Sequence, residues 1–151
     1  MHATGMSYLL NGKVDLAVLQ LKFSKNILVN ILVSWLHPQK VREICIVGDK
    51  KMLVFNDINP SEKIKIYDKG VTYQNIPGDY GQFQLSLRDG DISIPNIKNN
   101  EPLKTEVEDF IQSLSGNRTT KVTMQDALNV LRVLELAQQS LNENGKWITL
   151  H

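Results

Sequence analysis

The sequence predicts an α+β domain: an open, largely antiparallel β-sheet with two C-terminal helices packed on one face and the other face used for oligomerisation. Three observations lead there. From Met6 to about Leu87 the apolar residues come in short runs rich in Val, Ile and Leu, broken by Gly, Asn, Asp and Pro, which is the punctuation of strands and turns. From Pro102 onward the apolar spacing becomes helical. Strands first and helices afterwards, rather than the two alternating, favour an antiparallel sheet with helices segregated to one side.

The first expected strands are Ser7 to Leu10 and Val14 to Phe23, joined by Asn11-Gly12, a pair that accepts positive φ in a tight hairpin. Asn26 to Leu36 follows through Ser24 and Lys25 and stops at His37-Pro38, because proline has no amide hydrogen for the ladder. Val41 to Val47 and Lys51 to Asn56 flank Gly48-Asp49-Lys50, a hairpin loop of suitable length and glycine content. After Asn59-Pro60, Glu62 to Asp68 alternates Lys63 and Lys65 with Ile64 and Ile66, as a strand with one wet face does. Gly70 to Gln84 is turn-rich, and Gln82 to Leu87 with Asp91 to Ile94 is expected to form a last pair around Arg88-Asp89-Gly90.

Proline suits a first helical position, so Pro102 opens a helix whose stripe is Leu103, Val107, Phe110, Ile111 and Leu114, ended by Gly116. Thr123 caps a second helix with Asp126 in its first turn. Ala127, Val130, Leu131, Leu134, Ala137 and Leu141 form its stripe, Asn144-Gly145 supplies a left-handed stop, and Trp147 to Leu150 reads as a short closing strand. In Val14 to Phe23 both parities are apolar, so that strand is covered on both sides. Helices shield one face only, and a second subunit is expected on the other.

A length of 151 residues with 42% hydrophobic content suits a single domain spanning residues 1–151. The net charge of +1 comes from well-mixed charges that give no basic field for a nucleic acid backbone. No stretch reaches the roughly 18 to 20 apolar residues of a membrane span, the longest being Ile27 to Leu36, interrupted by Asn30 and Ser34. No membrane contact, no signal peptide and a cytoplasmic location are expected. The one cysteine, Cys45, lies in an apolar run and is expected to be buried.

Chemistry-bearing residues are sparse. No glycine-rich turn opens a helix after a strand, so no dinucleotide cofactor is expected within this chain. His2, His37 and His151 have no second ligand at metal spacing, and no metal site is expected. Ser34 and His37 stand at an odd offset, on opposite faces of a strand, which argues against a nucleophile and base. Glu106 and Asp109 read as a solvated helix face. The cluster with most to offer is Trp35, His37, Lys40 and Arg42 around Pro38. As a pocket rim it offers cations to a phosphate or carboxylate and an indole to a ring, and these four are the candidate substrate-binding residues.

Taken in order, several segments resemble the Gfo/Idh/MocA family of NAD(P)-dependent oxidoreductases. They are Leu32-Val33-Ser34-Trp35-Leu36-His37-Pro38-Gln39-Lys40-Val41-Arg42, Val47-Gly48-Asp49-Lys50-Lys51-Met52, Asn59-Pro60, and Ile66-Tyr67-Asp68-Lys69-Gly70. The tail adds Asn100-Glu101-Pro102-Leu103 with Glu106 and Phe110, then Asp126 to Leu141 with Ser140 and Asn144-Gly145. The resemblance covers nearly the whole chain and implies the C-terminal part of a two-domain enzyme, in which an open sheet lines the substrate site and pairs subunits. The family's N-terminal Rossmann domain, which binds NAD(P), has no counterpart here. Neither has its Glu-Lys-Pro signature, for which Glu101-Pro102-Leu103 is no substitute, and His2 does not match the family's catalytic histidine. The branch it looks most like acts on nucleotide-linked and related sugars. The implied function is a substrate-lining and oligomerisation domain with no catalytic residue and no turnover alone, NAD(P) belonging to a full-length parent. The alternative is a stand-alone binding or scaffold module that pairs through its sheet.

Overall fold

A computed structural model describes residues 1–75, 83–98, 100–116 and 119–149, with the backbone alone at 71–75 and 83–87. Contacts divide the chain into two compact units, one of Met1–Pro38 with Pro102–His151 and one of Gln39–Glu101. All strand pairings among the described residues are antiparallel, which agrees with the α+β class.

In the first unit, β1 (His2–Met6), β2 (Leu16–Lys22) and β3 (Leu28–Ser34) form a sheet in that order. The expected first strand is displaced: His2–Met6 pairs with Leu16–Gln20, while Ser7 to Leu10 is loop. The reason lies in Asp15. Its Oδ2 accepts the amides of Tyr8 (2.8 Å) and Leu9 (2.6 Å), a local alternative to ladder bonding that Asp favours. Asn11-Gly12 still turns the chain, with Gly12 at φ 81, but closes only an isolated bridge, Leu10 to Lys13. The β2–β3 turn uses Lys25 and Asn26, both at positive φ.

Helix α1 (Pro102–Leu114) stops as expected at Gly116, φ 71. Helix α2 (Met124–Asn142) carries the Thr123 cap as a full capping box: the threonine side chain accepts from the Asp126 amide, and the Asp126 carboxylate accepts from the Thr123 amide (2.8 Å). Asn144 and Gly145, at φ 56 and 81, turn the chain after the helix. Beyond them the expected closing strand is not made at 147–149, and Leu150 lies outside the described residues. Met1 and Ile148 nonetheless exchange backbone bonds, the Ile148 amide donating to the Met1 carbonyl at 2.8 Å.

The core sits where α2 meets β1. Ala3, Ala17, Leu19 and Ala137 are buried, with Met1, Ile31 and Leu141 packed against them. The largest fully buried side chain among the described residues is polar: Ser140, at 0% exposure, accepts from the Ala3 amide (2.9 Å) and donates to the Lys146 carbonyl (2.7 Å). Ala3 stands on the edge strand, so the serine closes part of an otherwise unpaired edge. Only part of the α2 stripe is used, because Val130, Leu131 and Leu134 remain exposed. In α1 no residue is buried, and its whole predicted stripe faces outward.

The second unit holds β4 (Glu43–Val47), β5 (Met52–Asn56), β6 (Ile64–Tyr67) and β9 (Ile92–Ser93) in one sheet, and β7 (Gly70–Asn75) with β8 (Phe83–Arg88) as a ribbon. The hairpin at Gly48-Asp49-Lys50 forms as expected, the Gly48 amide donating to the Lys51 carbonyl at 2.9 Å. The expected pairing of Gln82 to Leu87 with Asp91 to Ile94 is not made: β8 pairs with β7, and β9 with β6. Gly70 to Asn75 is strand, whereas Pro77, Gly78 and Gly81 of the turn-rich stretch lie outside the described residues. Arg88 ties ribbon to sheet by donating to Asp68 Oδ1 (2.7 Å) and the Lys50 carbonyl (2.6 Å).

The register sorts this sheet into two unlike faces. Ile44, Phe55 and Ile64 align across one row, and Ile46, Leu53 and Ile66 across the next, giving a face that is aliphatic and aromatic over β4 to β6, with Ser93 of β9 continuing the second row. Among the described residues no helix belongs to this unit, and Ile44 and Ile46 are each 57% exposed. Cys45 takes the opposite face of edge strand β4 and is exposed, contrary to the expected burial, because its own face is uncovered.

Ser140→Ala leaves the Ala3 amide without its side-chain acceptor and is expected to lower stability by about 1 to 3 kcal/mol in urea unfolding. Thr123→Ala is expected to destabilise α2. Hydrogen bonds from the Thr123 side chain, then its backbone, hold the Asp126 carboxyl below the usual aspartate value. That contribution is present above the ordinary aspartate range and is lost as pH falls through the lowered value. Unfolding curves for wild type and variant should converge in acid.

Candidate functional site

The four candidate substrate residues fall two in each unit. Trp35 and His37 belong to the first, and Lys40 and Arg42 to the second. Trp35 directly follows β3 and is 85% exposed, its amide donating to the Asp15 carbonyl at 2.8 Å. His37 and Lys40 are exposed. The Arg42 guanidinium lies 3.7 Å from Asp57, on the row that continues Glu43 and Asn56, with its side chain still 62% exposed. The pairing orients the cation without removing it from water, so its charge remains available to an anion.

Beside Trp35 lies a cleft of about 190 Å³ lined by Val14, Asp15, Leu16, Ala17, Val33 and Ser34. Asp15 is only 8% exposed. Its Oδ2 is occupied by the two loop amides, while Oδ1 is buried with no hydrogen-bond partner among the described residues. A buried carboxylate held by two amides is an anchor for the 7–10 loop. Oδ1 is too enclosed to meet a ligand, so Asp15 positions the loop rather than the substrate.

A second cavity, about 250 Å³, opens on the polar face of the four-stranded sheet and was not foreseen. Glu43 on β4, Val54 and Asn56 on β5, and Lys65 and Tyr67 on β6 share this face by register, and Asn59 and Glu62 close one end from the β5–β6 loop. The loop is held by its own asparagines. Asn56 Oδ1 accepts from the Ile58 and Asn59 amides (3.0 and 3.1 Å), and Asn59 Oδ1 from the Ser61 and Glu62 amides (3.1 and 3.0 Å). Lys65 Nζ sits 2.6 Å from Glu62. The Glu62 hydrogen bond and charge, with smaller help from Tyr67 and Glu43, raise the lysine above its ordinary value and keep it cationic. The alternation of charge over Glu62 to Lys65 signalled a wet face; only the pairing with β4 and β5 reveals that this face is concave.

On the first helix, Glu106 is exposed as expected, but Asp109 is half-buried and its Oδ2 accepts from the Lys121 amide at 3.4 Å. No helix among the described residues is long and apolar enough to cross a membrane.

A dinucleotide would need a glycine-rich turn between a parallel strand and a helix N-terminus. Among the described residues every strand pairs antiparallel and both helices follow the last strand, so these residues do not fit a nicotinamide dinucleotide. The family model described as "Oxidoreductase family, C-terminal alpha/beta domain" matches residues 4–150. No curated protein and no solved structure matches the chain.

Asp15→Ala removes the acceptor for two amides and is expected to speed hydrogen exchange at Tyr8 and Leu9 by about tenfold or more, as for the loss of a charge-assisted bond. Unchanged protection at both amides would show that the carboxylate does not hold the loop.

Proposed function

Because the chain belongs to the Gfo/Idh/MocA oxidoreductase family as its C-terminal domain, we propose that it is the substrate-lining and subunit-pairing part of an NAD(P)-dependent oxidoreductase acting on a sugar or nucleotide-linked sugar. The family match over almost the whole chain is the observation that carries this reading. In such an enzyme the nicotinamide accepts hydride from a secondary alcohol. This chain's part is to hold and orient the alcohol. Within the second unit Lys40 and Arg42 offer cations to a phosphate or carboxylate, and within the first Trp35 offers a flat apolar surface with His37 two residues on.

The pairing role is supported by apolar surface that the chain leaves open. Ile44 and Ile46 on the four-stranded sheet, Leu28 and Leu32 on the three-stranded sheet, and Phe110 and Leu114 on α1 are all more than half exposed. Large apolar side chains left in water within each unit are what a contact surface would bury. A second copy across a sheet face, together with a Rossmann domain, would take that surface out of water. The system then works in the cytoplasm as a homo-oligomer.

The 151-residue chain alone is expected to produce no NADH or NADPH from any sugar, read at the nicotinamide absorbance band. In calorimetric titration with a nucleotide-linked sugar, Arg42→Ala is expected to weaken binding by about tenfold, the loss of one charge-assisted hydrogen bond. Affinity unchanged by that substitution removes Arg42 from the site. Ile44→Glu places a charge on the aliphatic face and is expected to weaken self-association by at least about tenfold in sedimentation equilibrium. A chain that stays monomeric at all concentrations would favour the scaffold alternative, with a different protein as its partner.

A further inference from the structure

The four-stranded sheet has two edges that differ in kind. β9 ends it on one side with the two residues Ile92–Ser93, a short edge that offers little to another strand. β4 ends it on the other with five residues, Glu43–Val47, each of them exposed. The usual protections of an edge are missing from β4. It has no lysine and no proline, its register against β5 runs without a bulge, and no strand among the described residues pairs with its outer side.

The ladder to β5 fixes which amides face outward. The Asp57 amide donates to the Arg42 carbonyl and the Gly48 amide to the Lys51 carbonyl, both at 2.9 Å, so Arg42 and Gly48 stand at hydrogen-bonded positions of this antiparallel pair. Bonded positions alternate along such a ladder, and Ile44 and Ile46 are therefore bonded to β5 as well. Glu43, Cys45 and Val47 turn their N–H and C=O groups the other way, off the edge of the sheet.

This outward set is symmetric about Cys45. When a second β4 lies antiparallel with Cys45 opposite its own copy, Glu43 meets the copy's Val47, and every outward amide finds an outward carbonyl. Ile44 then stands opposite the copy's Ile46, which joins the aliphatic rows of the two sheets, with Phe55 behind one isoleucine and Leu53 behind the other. Glu43 faces a valine and lies about 13 Å along the strand from the copy's Glu43, so no like charges oppose one another. A shift by one residue sets outward groups against inward ones, and a shift by two leaves Glu43 or Val47 unmatched. An edge that completes itself in this way calls for a second copy of the same strand.

We propose that β4 is an edge-to-edge contact between two copies of this chain, which pair antiparallel about Cys45 and run their four-stranded sheets into one. The contact goes beyond the face-to-face pairing proposed above and rests neither on that pairing nor on the substrate. Cys45 serves only to report it.

Hydrogen exchange followed by NMR on the native chain tests the contact at about 10 µM and about 1 mM, concentrations that bracket a small transient interface. The Glu43, Cys45 and Val47 amides should slow by about tenfold or more at the higher concentration, while those of Ile44 and Ile46, already bonded to β5, change less. Directly opposed bonded residues have Cα atoms about 5.5 Å apart, within disulfide reach. Diamide, a two-electron thiol oxidant, takes both thiol hydrogens and is reduced to the hydrazine as the S–S bond forms, and a covalent dimer that dithiothreitol reverses is expected. Val47→Glu sets a carboxylate against the copy's Glu43 at both ends of the contact and should cut the dimer yield by about tenfold, with far-UV circular dichroism unchanged. Adding Glu43→Lys restores opposite charges and should recover most of that loss. Outer amides whose exchange ignores concentration, no covalent dimer with diamide, or a charge exchange that recovers nothing overturns the proposal. Should Val47→Glu fail to fold, the exchange rates of the native chain decide the matter alone. Association lost in Ile44→Glu but kept in Val47→Glu, with the outer amides unprotected, sinks this contact and leaves the face-to-face pairing standing.

Discussion

In the first unit, closure of the β1 edge is the interaction on which the remaining structure depends, because a sheet of three strands has two edges and little core to spare for either. Ser140 takes the Ala3 amide, and Ile148 exchanges bonds with Met1, so the end of α2 and the segment after it run along that edge. The left-handed pair Asn144-Gly145 makes this path available by turning the chain at the end of the helix. The imidazole of His2 bonds the Gly145 carbonyl and stacks on Trp147, at 5.5 Å between ring centroids. A helix, a turn and an aromatic pair thus converge on one strand. Ala3, Ala17, Leu19 and Ala137 are buried where they do so.

What this arrangement does not do is cover the apolar surface that the sequence supplies. Small residues dominate the buried set, while Phe110, Leu114, Leu131, Leu134, Ile44 and Ile46 stay in contact with water. At roughly 25 cal/mol per Å², each large side chain left exposed forfeits about 1.5 to 3 kcal/mol of stabilisation. The α1 stripe and one face of the four-stranded sheet keep such residues in contact with water.

Legibility in the sequence followed the range of the interactions. The Thr123 cap of α2 and the stops at Gly116 and Asn144-Gly145 depend on residues within one or two turns, and all were legible, whereas the return bond from Asp126 to the Thr123 amide came from the structure. So was the Gly48-Asp49-Lys50 hairpin, whose strands are adjacent in the chain. The displacement of the first strand to His2–Met6 was not, since the Asp15 carboxylate draws Tyr8 and Leu9 into a loop from several residues away. The exchange of partners by β8 and β9 escaped for a similar reason: both segments have strand character, and nothing local states which neighbour each will take. Of the candidate sites, the row from Trp35 to Arg42 was visible as a run of suitable residue types. The cavity around Lys65 was not, because its members are scattered from Glu43 to Tyr67 and only the register brings them together.

By itself, then, the sequence determined the α+β class, the antiparallel habit of its strands, the limits of both helices and the family, because each is written in periodicity, capping residues or an ordered series of short segments. The tertiary structure decided which strands pair, which face of the four-stranded sheet is aliphatic, that the largest fully buried side chain among the described residues is a serine and not a leucine, and where charged groups converge. Those outcomes follow from contacts between residues far apart in the chain. Their energies depend on geometry that no local pattern encodes.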